Sequence, residues 1–411
     1  MNKKKIFNDP VYGFITIKSD LIFDIIEHPV FQRLRRIKQL GLAELVYPGA
    51  HHTRFHHAIG AMHLMSKALD TLRGKETDIT DHEYEQAQIA VLLHDLGHGP
   101  LSHALEFSLL QGIKHESLSY LLMKMLNKEM KGQLDTALKI FQNSYKKPFL
   151  HQLVSSQLDV DRLDYLRRDS FFTGVSEGST GTERILSMLN VHRGKIVVEE
   201  KGIYSIENFL SARRLMYWQV YLHKTSVSAE KMLINLILRA RDLSQSGEDV
   251  FGTLALKTFL KNNYTLDDFQ NNPDILKQYG QLDDYDIWGA IKVWQHSDDK
   301  ILKKLSTMIL NRDLFKIKLS NEPLSKSELE KLRKSIVEKF GLKQAEVRYF
   351  FAHGEVTNKA YMADNSSIDI LTKKGKVVNI ADAADLPNIK AISKIVKKYY
   401  LCSVKNVSLP N

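Results

Sequence analysis

A chain of 411 residues with 43% hydrophobic content can bury a large core, as one big domain or about two to three smaller ones. Its one cysteine, Cys402, excludes an internal disulfide and fits a reducing compartment, no apolar run is long enough to span a bilayer, and the opening MNKKKIFNDP lacks a signal peptide's apolar stretch, so a cytoplasmic protein is expected. The net charge of +10 suits an anionic partner (nucleotide, nucleic acid or acidic membrane), although much of it lies on dispersed helical faces such as KSELEKLRKSIVEKF.

The first two hundred residues show apolar spacings of three and four, the mark of helices packed on a core. Asp20 can cap a helix through Ile26. Pro29 opens the next, which Gly41 stops after QRLRRIKQL. Further helices are predicted from near His56, from Asp81 to Leu96, from Pro100, and from Val154 to Arg168. Between Asn190 and Ile206 the segment VHRGKIVVEEKGIYSI alternates and carries glycine turns, which predicts a β-hairpin. A long helix follows to about Leu243, then helices with polar breaks to about 340. RYFFAHGEVTNKAYM and SIDILTKKGKVVNI alternate like strands. The expected architecture is mainly α: a core over 1–243 with a small β-hairpin, a helical extension over 244–340, and a small α+β lobe over 341–411.

Histidine is unevenly spread, with twelve of sixteen between residues 28 and 151. Most fall in HHTRFHHAIG (51–60), LLHDLGHGPLSH (92–103) and KHES (114–117). A single histidine is more often a surface or core residue than a ligand. Clusters beside aspartate change the balance, because imidazole and carboxylate together suit borderline divalent cations. Asp95 follows an apolar helix, where the helix dipole disfavours a carboxylate and a cation would compensate it. In SSQLDVDRLDYLRRDS, Asp161, Tyr165 and Asp169 stand at i, i+4 and i+8, on one helical stripe about 12 Å long, roughly the reach of a nucleoside triphosphate. A salt-bridged solvated face would give the same spacing.

The phrases KIFNDPVYG, HPVFQRLRRIKQLG, VYPGAHHTRFHHAIG, LLHDLGHGPLSH, LDVDRLDYLRRDSFFTGV and YLHK, in this order, resemble the HD-domain superfamily, specifically its dNTP triphosphohydrolases, a group that includes the vertebrate SAM- and HD-domain dNTPase. The match runs from about 5 to 225 and is extended by RDLFK at 312–316; no SAM domain is expected before it. The resemblance implies that His57, His94, Asp95 and Asp161 bind a divalent metal, whether Mn, Mg, Fe, Zn, Ni or Co. His98, His103, Glu106 and His115 match positions for phosphate contact and proton transfer. His103 would protonate the leaving oxygen and share a helical face with Glu106, which stands where the family usually has Asp. Arg54, Arg162 and Arg213 would hold phosphates, since a planar fork binds oxygen pairs; the family often has Lys at the position of Arg162. Gln39 and Asp169 would bind the sugar 3′-hydroxyl, and Tyr165 with Tyr221 would close on the sugar and exclude a 2′-hydroxyl. Taken alone, the stripe Arg213, Tyr217, Tyr221 and Lys224 reads as a snorkelled packing face.

The implied reaction converts a deoxynucleoside triphosphate, with dGTP the expected preference, and water to deoxynucleoside and tripolyphosphate. Attack at the α rather than the γ phosphorus rests on the resemblance. Family members are often oligomers (dimer or tetramer) with a second nucleotide site between subunits. Lys5, Gln32, Arg35, Arg312 and Lys316 match that effector site, and His223 and Lys224 an adjoining one. Glu27 stands where the family has an Asp that reads guanine. Two other readings compete: another HD hydrolase, such as a monophosphatase or cyclic-nucleotide phosphodiesterase, and a non-catalytic nucleic-acid-binding HD protein. The sugar- and triphosphate-facing matches oppose the first. The second lacks a helix-turn-helix, RNP or zinc-finger pattern.

Overall fold

The computed structural model describes residues 5–101, 106, 108–110, 112–358, 368–385 and 396–407. It is mainly helical. Strands β1 (Lys5–Asp9) and β2 (Gly13–Ile17) form an antiparallel hairpin, followed by α1 (Asp20–Glu27) and α2 (Pro29–Gln32). Ser19, not Asp20, is the N-cap of α1, because its side chain accepts from the amide of Ile22. The helix begun at Pro29 does not reach Gly41. It tightens into a 3-10 turn over Arg33–Arg36 and ends at Ile37.

The centre of the core is α3 (Arg54–Gly74), buried along nearly its whole length. It packs between α4 (Asp81–Leu93) and, after α5 (His115–Glu129), α6 (Asp135–Phe141) and α7 (Pro148–Val154), α8 (Val160–Thr173). Gly60 makes the α3–α8 approach possible: a Cβ there would stand 2.1 Å from both Arg168 and Asp164 side chains. α4 stops at Leu93, short of Leu96, and His94–Gly97 form turns. The helix expected from Val154 to Arg168 starts only at Val160 and runs on to Thr173, because Asp159 caps α8 by accepting from the amide of Arg162, while Val154 is the last residue of α7. The helix expected to open at Pro100 is not seen among the described residues, where Pro100, Leu101, Glu106 and Ser108–Leu110 lie in turns and a bend.

After α9 (Thr182–Ser187), β3 (Leu189–His192) and β4 (Lys195–Glu199) form the expected hairpin. The long helix expected next is broken. α10 (Ile203–Met216) passes into a π turn over Tyr217–Tyr221, and α11 (Lys224–Gln245) restarts with the His223 ring accepting from the amide of Thr225. Five helices follow: α12 (Leu254–Lys261), α13 (Leu266–Asn271), α14 (Pro273–Tyr279), α15 (Asp284–Trp294) and α16 (Lys300–Leu310). β5 (Lys316–Ser320) precedes α17 (Lys326–Phe340). The later strands β6 (Phe351–Asn358), β7 (Asp369–Leu371), β8 (Val377–Asn379) and β9 (Val396–Ser403) do not pair only among themselves. β9 lies between β5 and β6, and β7 joins β4 in parallel, with Val198 opposite Ile370. No described helix is long and apolar enough to cross a membrane.

Candidate active site

The start of α3, the turn after α4 and the first half of α8 converge on one cluster. His94 donates from Nδ1 to the carbonyl of Val91 at 2.6 Å, which leaves its Nε2 to face Asp161 Oδ1 at 3.4 Å and Asp95 Oδ1 at 3.3 Å. His57 donates from Nδ1 to Asp164 at 2.7 Å, and its Nε2 lies 3.0 Å from Asp161 Oδ1 and 3.8 Å from Asp95 Oδ2. Both Nε2 atoms are buried without a hydrogen bond of acceptable geometry. Two imidazole lone pairs and two carboxylates thus face one point, a donor set of the kind that holds a divalent cation. His57, His94 and Asp161 form a group able to hold a metal ion, and Asp95, His98 and His115 a second close group.

The electrostatics agree. Burial works against a charged His57, but Asp161 and Asp164 outweigh it and hold its imidazole at about 10. Burial likewise opposes ionisation of Asp161, and its contacts with His57 and His94 overcome it, keeping the carboxyl below its usual range. Asp95 is held low by His94, His98 and Arg54 against its own burial. The cluster's carboxylates favour a positive charge between them: without a cation that charge is a proton on His57, which a bound cation would displace to leave the Nε2 lone pair free.

Beside it runs a second chain of groups. His98 is buried, with Nε2 3.4 Å from Asp95 Oδ1 and its ring stacked on His115 at 3.8 Å. His115, the first residue of α5, donates from Nδ1 to Glu106 at 2.8 Å. Burial and the neighbouring Arg54 hold His98 well below the usual imidazole range, so it is neutral. His103 lies outside the described residues.

These groups open on a cavity of about 800 Å³. Gln39, Arg54, His94, Asp95, His98, His115, Asp161, Arg162, Tyr165, Asp169 and Tyr221 all line it. Arg213 and His57 are not among the lining residues; Arg213 is buried and donates to Gln157 at 2.9 Å. Arg162 donates to Asp159. The Nε atoms of Arg162 and Arg213 are buried with no partner among the described residues. Tyr221 donates to Asp169 Oδ2 at 2.8 Å, and its ring meets Tyr165 edge-on at 5.9 Å.

Several contributing residues escape a sequence reading. Asp164 orients His57 and is itself gripped by Arg168, whose Nε and second nitrogen reach its two oxygens at 2.9 and 3.0 Å. Its position three residues after Asp161 was the available signal. His52, fully buried, donates from Nε2 to Asp169 Oδ1 at 2.7 Å. His151, Ser226 and Glu230 line the cavity as well, and so does Tyr217, which the sequence alone assigns to a packing stripe.

The residues matched to an effector site fall into separate groups. Lys5 contacts Glu27, Gln32 donates to the carbonyl of Ile26 at 2.7 Å, and Arg35 donates to Gln32 and lies over the Phe55 ring. Arg312 and His223 both meet the Ala43–Tyr47 segment: Arg312 donates to the carbonyl of Leu45 at 2.9 Å, and His223 meets the Tyr47 ring at 5.9 Å. Lys224 is exposed at the start of α11, and Lys316 sits on β5 opposite Ser403.

Comparison with known proteins places this geometry. The HD domain matches residues 54–169, and the HD associated region matches 181–249. A Bacillus subtilis protein, YwfO, is 35% identical over 77% of this chain and 72% of its own. The Dictyostelium discoideum homologue of the deoxynucleoside triphosphate triphosphohydrolase SAMHD1 is 34% identical over 57% of this chain, which covers 49% of that protein's length. The crystal structure of a phosphohydrolase from Bacteroides thetaiotaomicron superposes with a TM-score of 0.94 at 53% identity, covering 98% of this chain and all of that one. With the histidine–aspartate cluster at its centre, the chain belongs to the HD-domain phosphohydrolase family.

Proposed function

We propose that this protein is a metal-dependent deoxynucleoside triphosphate triphosphohydrolase. The observation that carries the reading is the layout of one cavity. A cation-holding cluster, a guanidinium with a spare buried donor (Arg162) and an aromatic wall tied to a carboxylate (Tyr165, Tyr221, Asp169) line the same 800 Å³. That volume fits a nucleotide.

His57, His94, Asp95 and Asp161 would hold the metal, which supplies an acidified water and a polarised phosphoryl group when bound. Arg54 and Arg162 bind phosphate oxygens, and the orphaned Nε of Arg162 gains the partner it lacks; Arg213, matched to the same role, stands behind the cavity wall on Gln157 and would have to turn to reach a phosphate. His98, neutral in its buried site, would contact a phosphate group, and His115, hydrogen-bonded to Glu106, would serve proton transfer. His103 protonates the leaving oxygen, an assignment resting on its motif. Gln39 and Asp169 accept the sugar 3′-hydroxyl, and Tyr165 with Tyr221 fills the space a 2′-hydroxyl would need. The products are deoxynucleoside and tripolyphosphate, with dGTP the preferred substrate. The regulatory site takes a second nucleotide on Lys5, Gln32, Arg35, Arg312 and Lys316, with His223 and Lys224 at an adjoining nucleotide site, within a cytoplasmic homo-oligomer.

The test is incubation with each dNTP, singly and in pairs, with Mn²⁺ or Mg²⁺, resolving products chromatographically. Tripolyphosphate with free deoxynucleoside supports the reading; orthophosphate, or no product from any pair, refutes it. Asp161→Ala should abolish turnover and lower bound metal while circular dichroism still reports a folded helical protein.

A further inference from the structure

We infer that Tyr279 and Asp284, from a part of the chain outside both matched family segments, are positioning residues that set the loop carrying His94, Asp95 and His98. The inference rests on the metal-dependent reading above.

The loop from His94 to Leu101 lacks regular structure, so its buried backbone groups need partners from elsewhere. Side chains supply them. Arg33, fully buried, donates to the carbonyl of Leu96 at 3.1 Å and of His98 at 2.7 Å, and its Nε goes to the carbonyl of Leu282. Tyr279 donates to the carbonyl of Gly97 at 2.6 Å and packs its ring against the Arg33 guanidinium. The Ser119 hydroxyl accepts from the amide of Gly97 at 2.8 Å. Asp284 accepts from the amide of Leu101 at 2.7 Å through one oxygen and from the amide of Lys38 at 2.9 Å through the other.

Asp284 is the informative member. The first turn of α15 holds three acids, and helix capping accounts for two: Asp283 is the N-cap and Asp286 completes the capping box. Asp284 is turned inward, 2% exposed, where burial is costly for a carboxylate. Its two bonds tie the segment bearing Gln39 to the end of the histidine loop, where both line the cavity. Groups that orient ligand-bearing segments alter metal affinity by about 10–100-fold when removed. The segment from Tyr279 to Asp284 is therefore a brace for the cluster as well as part of the core.

The test measures Mn²⁺ binding by calorimetry, alongside thermal melting and steady-state kinetics, for Tyr279→Phe, Asp284→Asn and the buried control Ile336→Ala on α17. Tyr279→Phe keeps the ring and removes one hydrogen bond, so it folds even if Asp284→Asn does not. The expected result is Mn²⁺ affinity lowered roughly tenfold in the two brace variants, with kcat falling more than KM rises, while the control loses melting temperature and keeps its affinity. Brace variants that melt early but bind Mn²⁺ like the wild type overturn the inference and leave the proposed function standing. A wild type that neither binds Mn²⁺ nor hydrolyses any dNTP overturns both.

Discussion

His57 is held between two carboxylates: Nδ1 donates to Asp164 at 2.7 Å, while Nε2 faces Asp161 at 3.0 Å. The first contact fixes the ring and the proton on Nδ1, leaving Nε2 as a donor pair. Asp164→Asn weakens that control, because the amide can present its nitrogen to the ring. Metal affinity should drop by about 10–100-fold, measured by calorimetry with Mn²⁺. Arg168 retains Asp9 at 2.8 Å, so its buried charge keeps a partner and the variant should fold. Unchanged affinity would mean that Asp164 serves the core alone.

Tyr221 and His52 occupy the two oxygens of Asp169, at 2.8 and 2.7 Å. If this carboxylate receives the sugar, the Tyr221 hydroxyl both orients it and takes up room. Tyr221→Phe removes one hydrogen bond, worth about 1 kcal/mol, and frees that space. Turnover of dNTPs should fall roughly fivefold, and the preference for dNTPs over NTPs should narrow. Competition assays with paired dNTP and NTP substrates read this directly. A preference that stays the same with a reduced rate would place sugar selection elsewhere.

The divide between what the sequence reveals and what it hides follows the range of the interactions. α3 and α4 are legible because caps and apolar spacing are local. So is the β3–β4 hairpin, whose turn lies at Arg193–Gly194. The cluster of His57, His94 and Asp161 comes together from motifs on three separate elements, each visible by its residue types. What the sequence hides is longer in range. Nothing in QRLRRIKQL says that Arg33, and not Arg35 or Arg36, turns inward to bond carbonyls as far away as Leu282. The π turn at Tyr217–Tyr221 interrupts a pattern that reads as one helix, and the parallel pairing of β4 with β7 joins strands far apart in the chain. Each is set by tertiary packing, which a local pattern does not carry.

Gly97 follows the His94–Asp95 pair for a steric reason. A Cβ there would stand 2.1 Å from the amide of Ser119 and 2.3 Å from the carbonyl of His115, both backbone atoms of α5. A helix backbone cannot yield as a flexible side chain can, so the loop or α5 must move. Gly97→Ala should cost about 3 kcal/mol or more of stability and displace His115 from His98. Urea unfolding checks the first and metal-dependent activity the second. A variant with wild-type stability would mean that the loop can shift without loss.

Asp284 should also leave a mark on the pH dependence of stability. Burial raises its carboxyl from 3.8 to about 6, opposed by the amides of Lys38 and Leu101 and the Lys38 charge, and reinforced by Asp283. A carboxyl whose value is higher folded than unfolded favours the fold in its protonated form. That contribution is present in full below about pH 4 and is lost as the pH rises through 6. Between those limits the loss is about 3 kcal/mol, an order-of-magnitude figure. Asp284→Asn cannot ionise, so the difference in unfolding free energy between wild type and variant isolates this group from every other titration. Urea unfolding of both proteins from about pH 4.5 to 7.5 should show the wild type losing ground against the variant up to about pH 6 and levelling off above it. A constant difference across that range would mean that Asp284 enters the fold already ionised, with its two backbone donors and Lys38 outweighing the cost of burial.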